Sequence, residues 1–140
     1  MQERRLEDLS IGQTAERRHV VTAGDIDAFA GVSGDTNPVH LDADYAARTR
    51  FGGRIAHGML AASYLSAILG VDLPGPGAVY VSQTLRFRRP VRIGDEVVSR
   101  VTIAAIDGQR GRVTLETLCL VGDKTVVEGE AVVMVERRSA

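Results

Sequence analysis

The sequence predicts an α+β domain in which an antiparallel sheet of long strands wraps around one very hydrophobic helix. Two observations support this prediction. The segment 55–71 contains no formally charged residue unless His57 is protonated, and from residue 81 onwards apolar and polar side chains alternate in the manner of half-buried strands. A helix without a polar face needs cover, and a wrapped sheet supplies it.

Length and composition favour a single domain over residues 1–140. The chain has 140 residues, of which 44% are hydrophobic, and this is enough for one sizeable core. The net charge is −1 and like charges form no long run, so we expect a small organic substrate and no nucleic-acid partner. Cys119 is the only cysteine, so an internal disulfide is excluded, and its place in an alternating segment indicates an inert strand residue.

The sequence also predicts a cytoplasmic protein that is not inserted in a membrane. Its opening segment, MQERRLEDLS, is charged and lacks the apolar stretch of a signal peptide. The hydrophobic segment 55–71 is shorter than the ~20 apolar residues that a bilayer span requires. We therefore expect a helix buried all round inside a soluble domain.

Short helices and a loop are predicted ahead of the long helix. Thr22 and Asp25 resemble a capping box, which predicts a helix that ends at about Val32. Because Pro38 lacks an N–H and favours extended geometry in the residue before it, the segment 34–40 is predicted to be an ordered loop.

The elements that follow are predicted from caps, breakers and periodicity. Asp42 or Asp44 can cap a second short helix through residues 44–49, and the long helix is predicted over 56–69. Strands are predicted over 81–88, 96–106, 112–121 and 125–135, with turns that fit antiparallel hairpins. The edges of such a sheet need cover, and pairing of two copies provides it, so we expect a homodimer.

One loop concentrates the chemistry. Asp35, Asn37 and His40 place a carboxylate, an amide and an imidazole within six residues, around a proline that restricts their geometry. Such a constellation indicates a site. A structural role is the alternative, because Asp and Asn are common loop formers and a single His is often structural.

The start of the long helix offers a complementary group. Gly58 is expected in the first turn, where backbone N–H groups have no partner within the helix and stabilise a negative oxygen. Glycine also lets a substrate carbonyl approach closely, although it equally permits tight packing of the helix on the sheet. His57 either packs beneath the loop or contacts substrate. His19 is predicted to lie on the surface of a strand.

The loop resembles the signature of the MaoC-like hydratases, also called hydratase 2 or (R)-specific enoyl-CoA hydratases. The matching residues are Phe29, Val32, Ser33, Gly34, Asp35, Asn37, Pro38, Val39, His40 and Ala46. The resemblance continues through AHGMLAASYLSAILG and PGPGAVYVSQTLRFRRPVRIGDEV, so that motifs cover roughly residues 20–100.

This resemblance implies a hot-dog fold and reversible hydration of trans-2-enoyl-CoA to (R)-3-hydroxyacyl-CoA. In similar enzymes the Asp and His of the loop activate water, which assigns Asp35 and His40 here, and the N–H at Gly58 binds the thioester oxygen. Asn37 and Ser66 are further candidates for substrate binding. The hydroxyl of Ser66 can instead bond back to a carbonyl one turn earlier.

Several alternatives remain open at the level of sequence. The same motif serves dehydration of 3-hydroxyacyl thioesters on CoA or on acyl carrier protein, and rivals are a thioesterase and a non-catalytic acyl-CoA-binding subunit. No cofactor is expected beyond the CoA or pantetheine of the substrate. The Asp and His residues lack a recognised ligand spacing, so no metal is predicted. The arginines between 86 and 92 either meet phosphates of the substrate or form a solvated strand face.

Overall fold

The computed structural model describes residues 3–138. A 3-10 turn and one strand precede four helices: Leu6–Asp8, β1 (Thr14–Val20), α1 (Ala23–Ser33), α2 (Pro38–Leu41), α3 (Ala43–Ala47) and α4 (Gly58–Val71). Five strands follow them: β2 (Val79–Gln83), β3 (Arg86–Phe87), β4 (Glu96–Asp107), β5 (Arg112–Val121) and β6 (Lys124–Met134). The predicted long helix and the last three predicted strands are therefore confirmed, with bounds shifted by at most two residues.

The strands form one antiparallel sheet with the order β1-β4-β5-β6-β2, and β3 pairs with β6 beside β2. Strands β4, β5 and β6 are consecutive neighbours, so the predicted meander is confirmed. Along β5 alternate residues are buried: Val113, Leu115, Thr117 and Cys119. This period of two turns one face of each central strand toward the core.

Helix α4 fills the inside of the sheet. It contacts β1, β4, β5 and β6, and Leu65 and Ile68 are completely buried. Each such side chain contributes roughly 1.5–3 kcal/mol on burial, so these contacts fix the position of the helix. An antiparallel sheet wrapped around one long helix is the hot-dog architecture. Within residues 3–138, no helix is long and apolar enough to span a membrane.

The prediction that the long helix is buried all round is wrong for the isolated chain. Met59 is 55% exposed, and Ser63, Ser66 and Gly70 are exposed as well. These four positions are spaced by three or four residues and lie along one face of α4. The sheet covers only the opposite face. The exposed face carries small or flexible side chains, and for that reason the sequence showed no polar stripe.

The predicted strand over 81–88 is interrupted. Strand β2 ends at Gln83 and β3 begins at Arg86, with a register shift against β6 between Tyr80 and Ser82. The break lies where the chain crosses Gly129 of β6, since a Cβ atom there would come within 1.8 Å of the carbonyl oxygen of Thr84. Only glycine allows this approach.

Replacing Gly129 should therefore destabilise the protein. We expect Gly129→Ala to lower the free energy of unfolding by about 1–3 kcal/mol, because the new methyl group meets backbone that cannot move aside alone. The matched control is Gly31→Ala on α1, where a Cβ meets nothing within 4 Å and helix propensity improves. Urea unfolding of both variants is the measurement, and equal stability of the two would contradict this account of the strand break.

Candidate active site

The loop between α1 and α2 is held by its own hydrogen bonds. Helix α1 ends at Ser33, and the next residue, Gly34, caps it in the left-handed conformation with φ 79°. The Ser33 hydroxyl donates to the Phe29 carbonyl at 2.7 Å and accepts from the Asp35 N–H at 3.1 Å. Asp35 Oδ1 accepts from the Asn37 N–H at 3.2 Å. These bonds fix the backbone that carries the Asp35 carboxylate and leave Oδ2 for other partners.

The predicted loop over 34–40 is wrong in its second half, where helix α2 begins at Pro38. Proline is favoured at the first position of a helix because its missing N–H needs no partner there. The Asn37 side chain caps this helix by accepting from the Val39 N–H at 3.1 Å. The single turn carries His40 inward, where it is 9% exposed.

The tautomer of His40 follows from its surroundings. Its Nδ1 lies 2.8 Å from the Ile55 carbonyl oxygen. A carbonyl only accepts, so Nδ1 carries the proton in this bond, and the other ring nitrogen of the neutral form offers a lone pair. That nitrogen, Nε2, points toward Asp35.

Arg54 is a residue that sequence reasoning missed. Its Nε donates to the His40 carbonyl at 2.6 Å, and its Nη2 donates to Asp27 Oδ1 at 2.7 Å. The side chain is only 15% exposed, so it joins α1 to α2 beneath the loop. Both partners are distant in sequence, and no local pattern identifies such a contact.

Asp35 and His40 face each other across a gap. Asp35 Oδ2 and His40 Nε2 are 4.0 Å apart, and the Asp35 side chain is 52% exposed. This distance exceeds a direct hydrogen bond. If a water oxygen lay about 2.8 Å from both atoms, the angle Oδ2–water–Nε2 would be about 90°. This is close to the angle between the two O–H bonds of one water. The two side chains can therefore share a water molecule.

The gap opens into a cavity of about 550 Å³ whose walls are mainly apolar. The cavity is lined by Phe29, Ser33, Asp35, His40, Arg50, Phe51, Ile55, Ala56, His57, Gly58, Met59, Ala61, Phe87, Arg88, Arg89, Pro90, Val91 and Val127. The structure thus brings together the loop, the start of α4 and the segment after β2. Size and lining fit a pocket for a small organic molecule.

Gly58 is the first residue of α4 and lines this cavity. Its N–H has no acceptor within the helix, and His57 at the N-cap position offers no capping side chain. A Cβ at Gly58 would lie 2.7 Å from the Phe87 ring. Glycine is therefore required here for close packing of the helix start against Phe87, which is the packing role that the sequence left open, and its N–H still faces the cavity.

Two predicted substrate-binding residues lie elsewhere. Asn37 is exposed and its side-chain oxygen is used by the helix cap, while Ser66 lies on the exposed face of α4. Neither residue lines the cavity. A contact between either side chain and substrate stays a prediction.

Asp35, His40 and His57 offer three ligand atoms within 4.8 Å of one another. The two imidazoles are stacked, with ring centroids 3.9 Å apart and planes inclined by 29°. Imidazole lone pairs lie in the ring plane, so stacked rings do not aim them at one ion. The donor set fits a shared water better than a metal ion.

The arginines of the 86–92 segment are separated by the fold. Arg88 and Arg89 line the cavity together with Arg50, whereas Arg92 donates to the Phe51 carbonyl at 2.5 Å. Arg86 lies at a different groove, beside Glu116 and Glu128. The charge of Arg88 is paired with Glu128, whose Oε1 accepts two hydrogen bonds from it, so Arg50 and Arg89 are the two arginines that offer charge to the cavity.

Comparison with known proteins agrees with this arrangement. The MaoC like domain family matches residues 9–128. The chain is 52% identical to the (R)-specific enoyl-CoA hydratase of Rhodospirillum rubrum over 94% of this chain and 92% of that protein. It is 50% identical to the 3-hydroxybutyryl-CoA dehydratase of Methylorubrum extorquens over 94% of this chain and 84% of the relative.

Solved structures show the same fold. An (R)-hydratase from Pseudomonas aeruginosa in the unliganded form matches with a TM-score of 0.91 and 44% identity, covering 96% of this chain and 86% of that one. The fold and the polar loop beside a helix start define a hot-dog protein of the hydratase and dehydratase class. The chain belongs to the MaoC-like family.

The cap at Asn37 can be tested independently of catalysis. We expect Asn37→Ala to lower the free energy of unfolding by about 0.5–2 kcal/mol, because α2 loses the acceptor for its first free N–H. Asn37→Ser keeps an acceptor and should retain most of the stability. Thermal unfolding of both variants measures the difference. Equal losses in the two variants would show that the cap is not what Asn37 contributes.

Proposed function

We propose that this enzyme reversibly adds water to trans-2-enoyl-CoA and forms (R)-3-hydroxyacyl-CoA. The observation that carries the proposal is the 4.0 Å gap between Asp35 Oδ2 and His40 Nε2, in the same cavity as the first N–H of α4. The name of the relative from Rhodospirillum rubrum supports the (R) configuration.

The reaction requires a base, an acid and a donor for a developing oxyanion. An enoyl thioester is electrophilic at its β-carbon, and attack by water there moves an electron pair through the α-carbon to the thioester oxygen. The Gly58 N–H, backed by the dipole of α4, meets that negative charge. Asp35 and His40 handle the protons on the side of the water.

The hydrogen bonds of the site define how the protons balance. With Nδ1–H bound to the Ile55 carbonyl, His40 Nε2 and Asp35 Oδ2 are both placed to accept from one substrate water. As the oxygen bonds to the β-carbon, the pair takes one proton, and the same pair returns one proton to the α-carbon. The pair ends as it began. Because the two groups share a water, we assign the transfers to them jointly. These steps use no cofactor beyond the CoA of the substrate.

Rival functions fit the site less well. A hot-dog thioesterase that uses an acidic residue and a helix-start amide is disfavoured, because the acid of this site, Asp35, faces the imidazole of His40 at 4.0 Å across a gap that suits one shared water. A non-catalytic acyl-CoA-binding role leaves the facing acid and imidazole without a purpose. Dehydration of a 3-hydroxyacyl thioester is the same reaction in reverse, and the Methylorubrum extorquens relative carries that name.

The acyl group of the substrate could be attached to CoA or to acyl carrier protein. Arg50 and Arg89 line the cavity, and arginine suits phosphate recognition, whereas Arg88 is paired with Glu128. Coenzyme A and the pantetheine arm of acyl carrier protein both contain a phosphate, so these arginines fit either carrier. We propose CoA on the basis of the bacterial relatives. The cytoplasmic location and the single domain over residues 1–140 stay predictions.

The activity is tested with crotonyl-CoA and the purified protein. We expect the conjugated enoyl absorbance to fall without release of free thiol, since water adds to the double bond and the thioester stays intact. Asp35→Asn and His40→Ala should each reduce turnover on the order of 10²-fold or more. The matched control Asp44→Asn removes an exposed carboxylate outside the cavity and should keep wild-type turnover.

Three other outcomes of this assay would contradict the proposed reaction or the proposed acid/base pair. Thiol release would establish hydrolysis in place of hydration. Near-normal turnover by a folded Asp35→Asn or His40→Ala variant would remove the proposed acid/base pair. A loss of activity in Asp44→Asn equal to that in the other variants would point to a general effect of lost charge.

We further propose that the protein is a homodimer. Strand β2 is a sheet edge, and it exposes apolar side chains: Val79 is 53% and Val81 is 50% exposed. An apolar edge of this kind needs cover. Strand β1, at the other edge, carries mostly polar and charged residues.

Light scattering at micromolar concentration should give twice the 15.0 kDa of the chain. The variant Val81→Lys should shift the mass toward that of one chain, because a charge at the edge opposes strand pairing. The control Ile11→Lys changes an apolar residue that is 68% exposed outside the strands and should leave the dimer intact. A wild-type mass of 15.0 kDa would rule out the dimer.

A further inference from the structure

His57 is a buried histidine that the proton transfers do not use. It is 3% exposed and occupies the N-cap position of α4. Residues at this position commonly cap the helix through an oxygen acceptor, but the His57 side chain makes no capping bond. Its ring instead reaches across to the catalytic loop, where Nε2 lies 2.9 Å from the main-chain carbonyl oxygen of Asp35.

The hydrogen bond defines the tautomer of His57. Because the Asp35 carbonyl only accepts, Nε2 carries the proton in this bond. The other nitrogen, Nδ1, is buried and has no partner among the described residues. A proton on Nδ1 would have no acceptor there, so the contacts fit the neutral ring with Nε2–H. His57 and His40 thus have opposite tautomers.

The same ring restrains His40. The ring centroids of the two imidazoles are 3.9 Å apart in a stacked arrangement. The Phe29 ring lies on His57 as well, with a distance of 4.9 Å between ring centroids. The single bond from His40 Nδ1 to the Ile55 carbonyl leaves the imidazole free to tilt about that bond. A ring stacked on its face removes this freedom. The stack and the bond together direct Nε2 toward Asp35.

We propose that His57 is the positioning residue that holds both members of the acid/base pair at the distance needed for one shared water. It holds Asp35 through the main-chain carbonyl and His40 through the face of its ring. Because His57 does not cap α4, the first N–H groups of the helix also stay free for the thioester oxygen. This inference rests on the proposed hydration and assigns His57 no proton transfer.

Three variants separate the two contacts. His57→Gln keeps an N–H donor near the position of Nε2 and removes the ring, whereas His57→Phe keeps a ring for stacking and removes the donor. His57→Ala removes both. We expect kcat with crotonyl-CoA to fall about tenfold in each of the first two and on the order of 10²-fold in the third, because a misplaced catalytic group is costly. KM should change little.

A matched control distinguishes positioning from loss of stability. Ile103→Ala on β4 removes a buried side chain that belongs neither to α4 nor to the cavity lining; it should lower the urea midpoint of unfolding, while kcat per folded molecule stays near the wild-type value. Wild-type kcat in folded His57→Ala would overturn the proposal. A rise in KM with kcat unchanged would also overturn it, because His57 would then be a substrate contact.

Nitrogen NMR of the imidazoles tests the positioning without any activity. The wild type should show His40 as the Nδ1–H tautomer and His57 as the Nε2–H tautomer, and His57→Ala should leave His40 with mixed tautomers. Unchanged His40 signals in that variant, or Nδ1–H at His57 in the wild type, would overturn the proposal. The expected tautomers, lost at His40 in His57→Ala, in a protein that hydrates neither crotonyl-CoA nor longer trans-2-enoyl-CoA would reject the proposed function and leave the positioning of His40 by His57 supported.

Discussion

The burial of α4 against the sheet determines where the groups of the proposed active site lie. Its apolar face fits against β1, β4, β5 and β6, and this fixes the axis of the helix and the place where it begins. The N–H groups of a first helical turn need partners outside the helix. Here they open into the cavity that also receives Asp35 and His40. The packing of the core and the location of the proposed oxyanion site thus have the same cause.

The rest of the site is fixed by main-chain carbonyls. Ile55 and Asp35 each present a carbonyl to a histidine ring, and the two rings stack on each other. A carbonyl accepts and never donates, so each contact selects one tautomer. Arg54 adds a third bond of this kind, to the His40 carbonyl. A short polar loop thereby becomes a rigid support for the carboxylate and the imidazole to which we assign proton transfer.

Local chemistry explains why some elements were predictable. The capping box at Thr22 and Asp25 is formed as expected, and Asp42 caps α3 through the Tyr45 N–H. Both signals depend on residues within one turn of each other. The break between β2 and β3 depends on the crossing of Thr84 over Gly129, two residues far apart in the chain. No window of sequence contains both.

The exposed face of α4 and the helix that begins at Pro38 are two features that local sequence patterns predicted wrongly, for different reasons. Small residues such as Ser63 and Gly70 give no polar face, so hydropathy alone predicts complete burial. Pro38 breaks a helix from within but favours one at its first position, and the Asn37 cap decides between these outcomes. Asn37 and Pro38 are both compatible with a loop and with a helix start, so their identities alone did not predict which one forms.

The sequence by itself determined the fold class, the long helix and the meander, because these depend on periodicity, and it supplied Asp35, His40 and Gly58 as candidates for the site, because they lie in two short motifs. Only the tertiary structure decided that Asp35 and His40 stand 4.0 Å apart, that His57 joins them, and that Asn37 and Ser66 lie outside the cavity. Distances and ring orientations arise from packing between segments that are distant in sequence, and no local pattern encodes them.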